Sequence, residues 1–177
     1  MFNKMITPIG ESGGNIPRGF ISTLSSATIQ SAVASSTYPD SRFTVDHSYD
    51  NSSATAWMPD ALGNNVPYNV IYDLGSAQNI YAIFLQWAAS DTGVYSEDIE
   101  ILGSTTGTQA SDFTSIISAT TMTIQNPWTD QGSGIPTQGN IAIINKSLRY
   151  IKIAFKRNSG SASYCTGIGE IKFLLST

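Results

Sequence analysis

The clearest pattern in the chain is alternation with a period of two. From Arg149 to Lys156, Ile151, Ile153 and Phe155 face one way while Tyr150, Lys152, Ala154 and Lys156 face the other. Near the C-terminus Ile171, Phe173 and Leu175 repeat the device, opposite Glu170, Lys172 and Leu174. Asp98–Leu102 sets Ile99 and Ile101 against Asp98 and Glu100. Ile80–Ala88 is instead an almost unbroken apolar run, the pattern of a central strand covered on both faces. Shorter strand candidates are Thr28–Ala34, Val70–Leu74, Phe113–Ile117, Thr121–Gln125 and Ile141–Ile144. No stretch sustains apolar residues at i, i+3, i+4 and i+7, so no amphipathic helix is predicted. About eight short strands separated by turn clusters predict an all-β fold, a β-sandwich or jelly roll.

The first 24 residues do not share this pattern. Pro8, Gly10, Gly13, Gly14, Pro17 and Gly19 punctuate them too densely for a helix or a central strand. Met5, Ile6, Ile9, Ile16, Phe20 and Ile21 are apolar positions an arm could dock with, on a partner or on its own domain. The expected organisation is therefore an extended arm over residues 1–24 and one sandwich domain over 25–177. A chain of 177 residues is long enough to bury a core without covalent staples.

Composition narrows the function more than the fold. Ser and Thr make up about a quarter of the chain and charged residues only 12%, which favours strands and turns. A net charge of −4 argues against a protein built on phosphate-backbone contacts but is compatible with a neutral ligand such as a sugar. Cys165 is the single cysteine, so no intrachain disulfide can form. The opening MFNKMITPIGESGGN lacks the apolar core of a signal peptide, and no run approaches a membrane span. The expectation is a protein that stays in the cytoplasm, or leaves it by lysis or within a particle.

Candidate chemistry centres on the stretch from Tyr49 to Gly75. Its loop Asp50-Asn51-Ser52-Ser53-Ala54-Thr55 is acidic and hydroxyl-rich and leads into Trp57, a setting suited to a hard cation or to a structured turn. Trp57 and Trp87 read as core residues, whereas Trp128 lies in the polar segment Asn126–Gly132. A sugar ring stacks its apolar face on such a side chain, and Tyr95 and Tyr164 have similar surroundings. His47, Arg42, Arg157 and Asn158 are the polar residues that would bond its hydroxyls. Catalysis is poorly served. One histidine without a G-x-S-x-G elbow makes no hydrolase triad, and Glu97, Asp98 and Glu100 read as the polar face of one strand rather than facing carboxylates. Zinc, phosphate-loop and dinucleotide motifs are missing from the sequence.

Taken in order, DNSSATAW, VIYDLGSAQNIYAIFLQW, YSEDIEILGS, LRYIKIAF and GIGEIKF resemble the discoidin domain, the coagulation factor V/VIII C-type group that includes family-32 carbohydrate-binding modules. Asp50, Thr55 and Trp57 match its D-G-N-x-x-T-x-W loop, and Asp73, Leu74 and Gly75 its D-L-G. Arg149–Ile153 match its R-Y-I strand, and Glu170, Ile171 and Phe173 its closing strand. Asn51 replaces the family's glycine and Ser52 its preferred Asn or Asp. Asn tolerates the left-handed conformation that glycine would supply, so the turn can survive.

The resemblance implies a galactose-binding-like jelly roll with a structural Ca²⁺. Its ligands would be loop carbonyls with Asp50, Ser52, Thr55 and Glu170, Ser52 being a weaker donor than a carboxylate. It also implies non-catalytic recognition of a surface glycan by loops at one end of the sandwich. His47 and the Arg157–Asn158 turn occupy ligand-loop positions of the family. The chain layout adds a further expectation: residues 1–24 dock on other subunits of an oligomeric assembly, such as a phage or viral particle that displays the sandwich for host attachment. The alternative is a purely structural virion subunit (tail, baseplate or capsid accessory) that uses the sandwich for protein contacts and binds no sugar. Lipid head-group binding fits poorly with the acidic balance.

Overall fold

A computed structural model describes residues 8–9, 24–52, 55–60, 67–89, 94–125, 140–158 and 166–176, with only the backbone described for 8–9, 89, 94–97, 121–125, 140–141 and 157–158. The described chain is built of seven strands: β1 (Pro8–Ile9), β2 (Ser31–Ala34), β3 (Tyr68–Ala89), β4 (Val94–Ser104), β5 (Thr114–Gln125), β6 (Asn140–Asn158) and β7 (Thr166–Leu175). Three short 3-10 turns lie between them, at Ser41–Phe43, Val45–Ser48 and Ala110–Asp112.

Hydrogen bonding connects the strands in the order β2-β3-β6-β4-β5, with β7 on β3 and β1 on β6. This connected sheet folds over on itself. β3 and β6 are long enough to pass through both layers, and their mutual register breaks between Asp73/Gln78 and between Ile80/Ala82. At the bend Gly75 has φ 77 and Asn145 has φ 45, left-handed values that let each strand change direction. Residues far apart along the strands then meet face to face. Tyr72 packs on Phe173 with ring centroids 5.5 Å apart, and Trp87 packs on Phe155 at 6.0 Å.

One layer holds β2, the first half of β3, the second half of β6, β4 and β5; the other holds β7, the second half of β3 and the first half of β6. The core between them contains Trp57, Tyr68, Tyr72, Ile83, Leu85, Ile101, Ile151, Ile153, Phe155 and Phe173. Trp57 and Trp87 are core residues as the sequence predicts, 0% and 3% exposed.

Three expectations change. Val70–Leu74 joins Ile80–Ala88 in β3, Ile141–Ile144 joins Arg149–Lys156 in β6, and Phe113–Ile117 joins Thr121–Gln125 in β5, so about eight strands become seven. The turn-forming residues between the first two pairs bend a strand instead of ending it. The first strand is also shorter than Thr28–Ala34, although Gln30 N–H already bonds the Asp73 carbonyl at 2.8 Å. Finally, β7 is not half-solvated: Glu170 and Leu174, on its predicted outer face, are buried beside Ile171 and Phe173.

Two sequence motifs meet at the bend. The Asp73 carboxylate accepts Gly75 N–H at 2.7 Å, fixing the turn, and takes Arg149 Nε at 2.9 Å and Nη2 at 3.1 Å in a bidentate pair. The D-L-G and R-Y-I segments are thus two halves of one clamp. Arg149 holds the Asp73 carboxyl below its usual range.

Candidate functional site: the loops at the open end of the sandwich

Folding at Gly75 brings both ends of β3 to one edge of the molecule, opposite the bend. Tyr68, at one end, donates its hydroxyl to the Thr166 carbonyl at 2.9 Å, while Ala89, at the other, is the register partner of Thr166. The start of β4 and the end of β6 lie at the same edge, with Glu97 opposite Asn158 and Asp98 opposite Arg157. The described residues between β2 and β3, 35–52 and 55–60, pack against this end.

Backbone bonds hold that segment in place. Trp57 exchanges N–H···O bonds with Ile168 at 2.9 and 3.0 Å, pinning the chain to the edge of β7, and its indole Nε1 donates to the Ser36 carbonyl at 3.1 Å. Tyr38 N–H reaches the Met58 carbonyl, Met58 N–H the Phe43 carbonyl, and Asp60 N–H the Ser36 hydroxyl. Beneath lies a small apolar cluster of Phe43, Ala56, Met58 and Ala88. The outward surface is therefore positioned by the core rather than by the loops alone.

On that surface Arg42 and His47 come together, His47 Nδ1 lying 2.9 Å from the Arg42 carbonyl oxygen. Asp40 anchors Arg42: Nε bonds both carboxylate oxygens at 3.2 Å and Nη2 bonds Oδ2 at 2.9 Å. The same bonds depress the Asp40 pKa. The guanidinium also sits 5.2 Å from the centroid of the Phe43 ring. Tyr38 stands edge-on to Phe43 and is 39% exposed, one of two large apolar side chains left that open among the described residues. An exposed ring beside a held guanidinium and an imidazole can stack on an apolar face while bonding hydroxyls.

Tyr38, Asp40 and Asp60 were not singled out in the sequence. As sequence, Ala34–Phe43 is only a polar, turn-like stretch, and an aromatic followed by proline carries no periodic signal. The remaining candidates have different standing. Tyr95, Arg157 and Asn158 lie on strand ends at this edge with only their backbone described; Trp128 and Tyr164 lie outside the described residues.

The Asp50 loop forms the clasp between this end and β7. Asp50 Oδ1 accepts Ser52 N–H and its Oδ2 the Thr55 hydroxyl, both at 2.8 Å. Asn51 has φ 61, the left-handed conformation expected where the family has glycine, and its N–H bonds Glu170 Oε2 at 3.0 Å. Glu170 is 6% exposed, and burial pushes its carboxyl up to about 7; Lys172 and the Asn51 N–H oppose the shift and the Asp50 charge adds to it. Asp50, Thr55 and Glu170 thus bring hard oxygen donors to one place, with Ser52 held against Asp50 through its backbone. That donor chemistry fits a divalent cation such as Ca²⁺. Among the described residues no three His, Cys, Asp or Glu side chains cluster, so backbone carbonyls would have to complete the shell. A cleft of about 250 Å³ adjoins the clasp, lined by Ser26, Thr28, Tyr49, Asn51, Glu170 and Lys172 among others.

A two-layer sandwich closed by a D-x-x-x-x-T-x-W clasp defines a discoidin-type domain. Residues 31–168 match the F5/8 type C domain, and the chain belongs to that family. Solved structures share the fold. Chitosan-binding module 1, derived from a chitosanase/glucanase of Paenibacillus sp. IK-5, is 21% identical with a TM-score of 0.58, over 85% of this chain and 97% of that one. A pectin-binding carbohydrate-binding module is 17% identical with a TM-score of 0.60, over 85% and 93%. The family 32 module of C. perfringens NanJ, solved in complex with galactose, is 16% identical with a TM-score of 0.56, over 81% and 92%. No curated protein sequence matches the chain significantly.

Proposed function

We propose that this protein is a non-catalytic carbohydrate-binding domain that recognises a surface glycan through the loops at the open end of the sandwich. The observation that carries the reading is the Tyr38–Asp40–Arg42–His47 cluster, an exposed aromatic beside anchored polar groups, in a chain whose solved neighbours include modules named for chitosan and pectin binding and one solved with galactose. Stacking supplies affinity and the Arg42 and His47 groups supply specificity; Tyr95, Arg157 and Asn158, on strand ends at the same edge, extend the surface, and Trp128 and Tyr164 are added from the sequence alone.

A Ca²⁺ ion held by Asp50, Thr55, Glu170, loop carbonyls and more weakly by Ser52 steadies the clasp without touching the sugar. The N-terminal segment links the domain to an assembly such as a phage or viral particle, where many copies raise a weak single-site affinity. The test is a glycan array probed with multimerised protein. Binding to a defined glycan class that drops at least tenfold with Arg42→Ala, His47→Ala or Trp128→Ala supports the proposal. Uniform failure to bind would sink it and leave the purely structural virion subunit.

A further inference from the structure

The 3-10 turn Val45–Ser48 carries His47 and has one side against the core. Val45 packs on the core cluster, and Ser48 is fully buried. Beside Ser48 stands Tyr72 of β3, also fully buried, edge-on to Phe173 and Tyr49 with ring centroids 5.5 and 6.1 Å away. The Ser48 hydroxyl reaches the Val45 carbonyl at 2.7 Å, and the Tyr72 hydroxyl lies 3.0 Å from Ser48 Oγ. A carbonyl only accepts, so the one Ser48 hydroxyl proton goes to Val45 and Tyr72 is the donor in the other bond. A core strand thereby grips the turn from beneath. On the outer side Tyr49 donates its hydroxyl to Asp46 Oδ1 at 2.7 Å, and the N–H groups of His47 and Tyr49 close onto the Thr44 and Asp46 carbonyls.

The same proton accounting applies to His47. Its Nδ1 lies 2.9 Å from the Arg42 carbonyl oxygen, so Nδ1 carries the hydrogen. Arg42 is itself held, its N–H bonding Asp40 Oδ1 at 2.9 Å. In the neutral ring Nε2 is then an acceptor, on a half-exposed side chain at the open end of the sandwich.

We propose that Tyr72 and Ser48 are positioning residues for the binding surface: by pinning the turn they hold His47 as the Nδ1–H tautomer, with Nε2 offered to the ligand as a hydrogen-bond acceptor. The inference rests on the glycan reading above and deepens it. The ligand group that meets His47 is a donor, a hydroxyl or an amide N–H, because a carboxylate has no proton to give a neutral imidazole. The matching chemistry is a neutral sugar rather than a uronate. An imidazole on a loose turn samples both tautomers and several orientations, and apparent affinity falls with the fraction that is competent to bind. Tyr72 acts only through the turn, since its ring and hydroxyl are buried.

His47 is the only histidine in the chain, so its ring is an unambiguous magnetic-resonance probe. Nitrogen-15 shifts of the imidazole, measured in the full-length protein above neutral pH, report which nitrogen holds the proton. The parent protein should show a protonated Nδ1 and a bare Nε2. Tyr72→Phe keeps the ring packing and removes the donor. It should average the two nitrogen shifts and lower affinity for the best glycan by about two- to tenfold, the worth of one hydrogen bond. Ser48→Ala removes both bonds and should move the spectrum further the same way; it carries the test if Tyr72→Phe does not fold. Tyr68→Phe deletes another buried hydroxyl, one bonded to the Thr166 carbonyl instead of the turn, and should leave the imidazole spectrum unchanged. The proposal is overturned if the parent ring is protonated at Nε2, or if neither variant changes the spectrum or the affinity. It is equally overturned if Tyr68→Phe shifts the spectrum as much as Tyr72→Phe does. Binding to uronate glycans alone would overturn the acceptor role. Because the spectrum needs no ligand, the expected tautomer in a protein that binds no glycan would remove the sugar reading and leave the pinning of the ring in place.

Discussion

At Glu170 two demands meet. Its carboxyl is buried midway along the closing strand and faces the Asp50 charge, with Asn51 N–H donating to its Oε2. The proposed Ca²⁺ would remove the conflict by offsetting both carboxylates. Ligand binding to the folded state stabilises by about 2.7 kcal/mol at a concentration one hundred times Kd. For a chain of this size that is roughly 5–10 °C in melting temperature. Scanning calorimetry in calcium against chelator should show a rise of this order, absent in Glu170→Gln and reduced in Asp50→Asn. Equal melting temperatures for the parent protein would remove calcium from the account. Asp73 makes a prediction of opposite dependence on conditions, because its partner is a fixed cation. Its folded pKa lies below the ordinary carboxylate value, chiefly through the Arg149 hydrogen bonds. The sign follows: the stabilisation is complete above the unfolded pKa near 4 and disappears as pH falls through the lower folded value. Asp73→Asn should therefore cost stability at pH 7 and lose almost none of its remaining stability through this site in acid. The difference in melting temperature between variant and parent should narrow towards pH 3.

Among elements, the clasp and the bend each depend on a glycine for a different reason. Gly75 has φ 77, and a Cβ there would also lie 2.9 Å from Gln30 Cγ. Gly75→Ala should cost about 1–2 kcal/mol, mostly from the left-handed backbone. Gly167 suffers from contact instead: its Cβ would run into the Trp57 carbonyl, on the segment pinned to β7. Gly167→Ala should cost about 3 kcal/mol and weaken any glycan binding with it, because displacing Trp57 moves the Tyr38–His47 segment. Urea unfolding of the two variants gives the ranking. Neither role could be read from sequence, whereas the strand faces could. Ile151, Ile153 and Phe155 alternate because one side of β6 is core, and Trp57 and Trp87 are apolar anchors wherever they fall. What alternation does not record is continuity. Gly75-Ser76 and Asn145-Lys146 look like ordinary turns, and only the long-range pairing of β3 with β6 shows that the strands run through them. The clasp was legible because its spacing repeats a family motif. Tyr38 and Asp40 were not, since loop side chains acquire a shared surface only when Trp57 docks on Ile168.

For the whole molecule, passage of β3 and β6 through both layers has a consequence for cooperativity. In a sandwich of two independently hydrogen-bonded sheets, one layer can loosen while the other keeps its strands. Here each layer borrows its central strands from the same two segments, and aromatic contacts bridge the gap at Tyr72–Phe173 and at Trp87–Phe155. Unpairing β3 from β6 on one side of Gly75 leaves the other half with a free edge and an exposed core. No partly folded state therefore keeps enough buried apolar surface to balance its ordering cost. Unfolding should be two-state: tryptophan fluorescence, which reports Trp57 and Trp87 in the core, and far-ultraviolet dichroism, which reports the strands, should trace coincident urea transitions. Trp57→Ala should shift both curves together by about 3–5 kcal/mol, since the side chain is fully buried against Tyr68 and Phe155. Separate midpoints for the two probes would mean that the layers are energetically independent despite their shared strands. The Asp73–Arg149 clamp at the bend would then be holding two units together rather than shaping one.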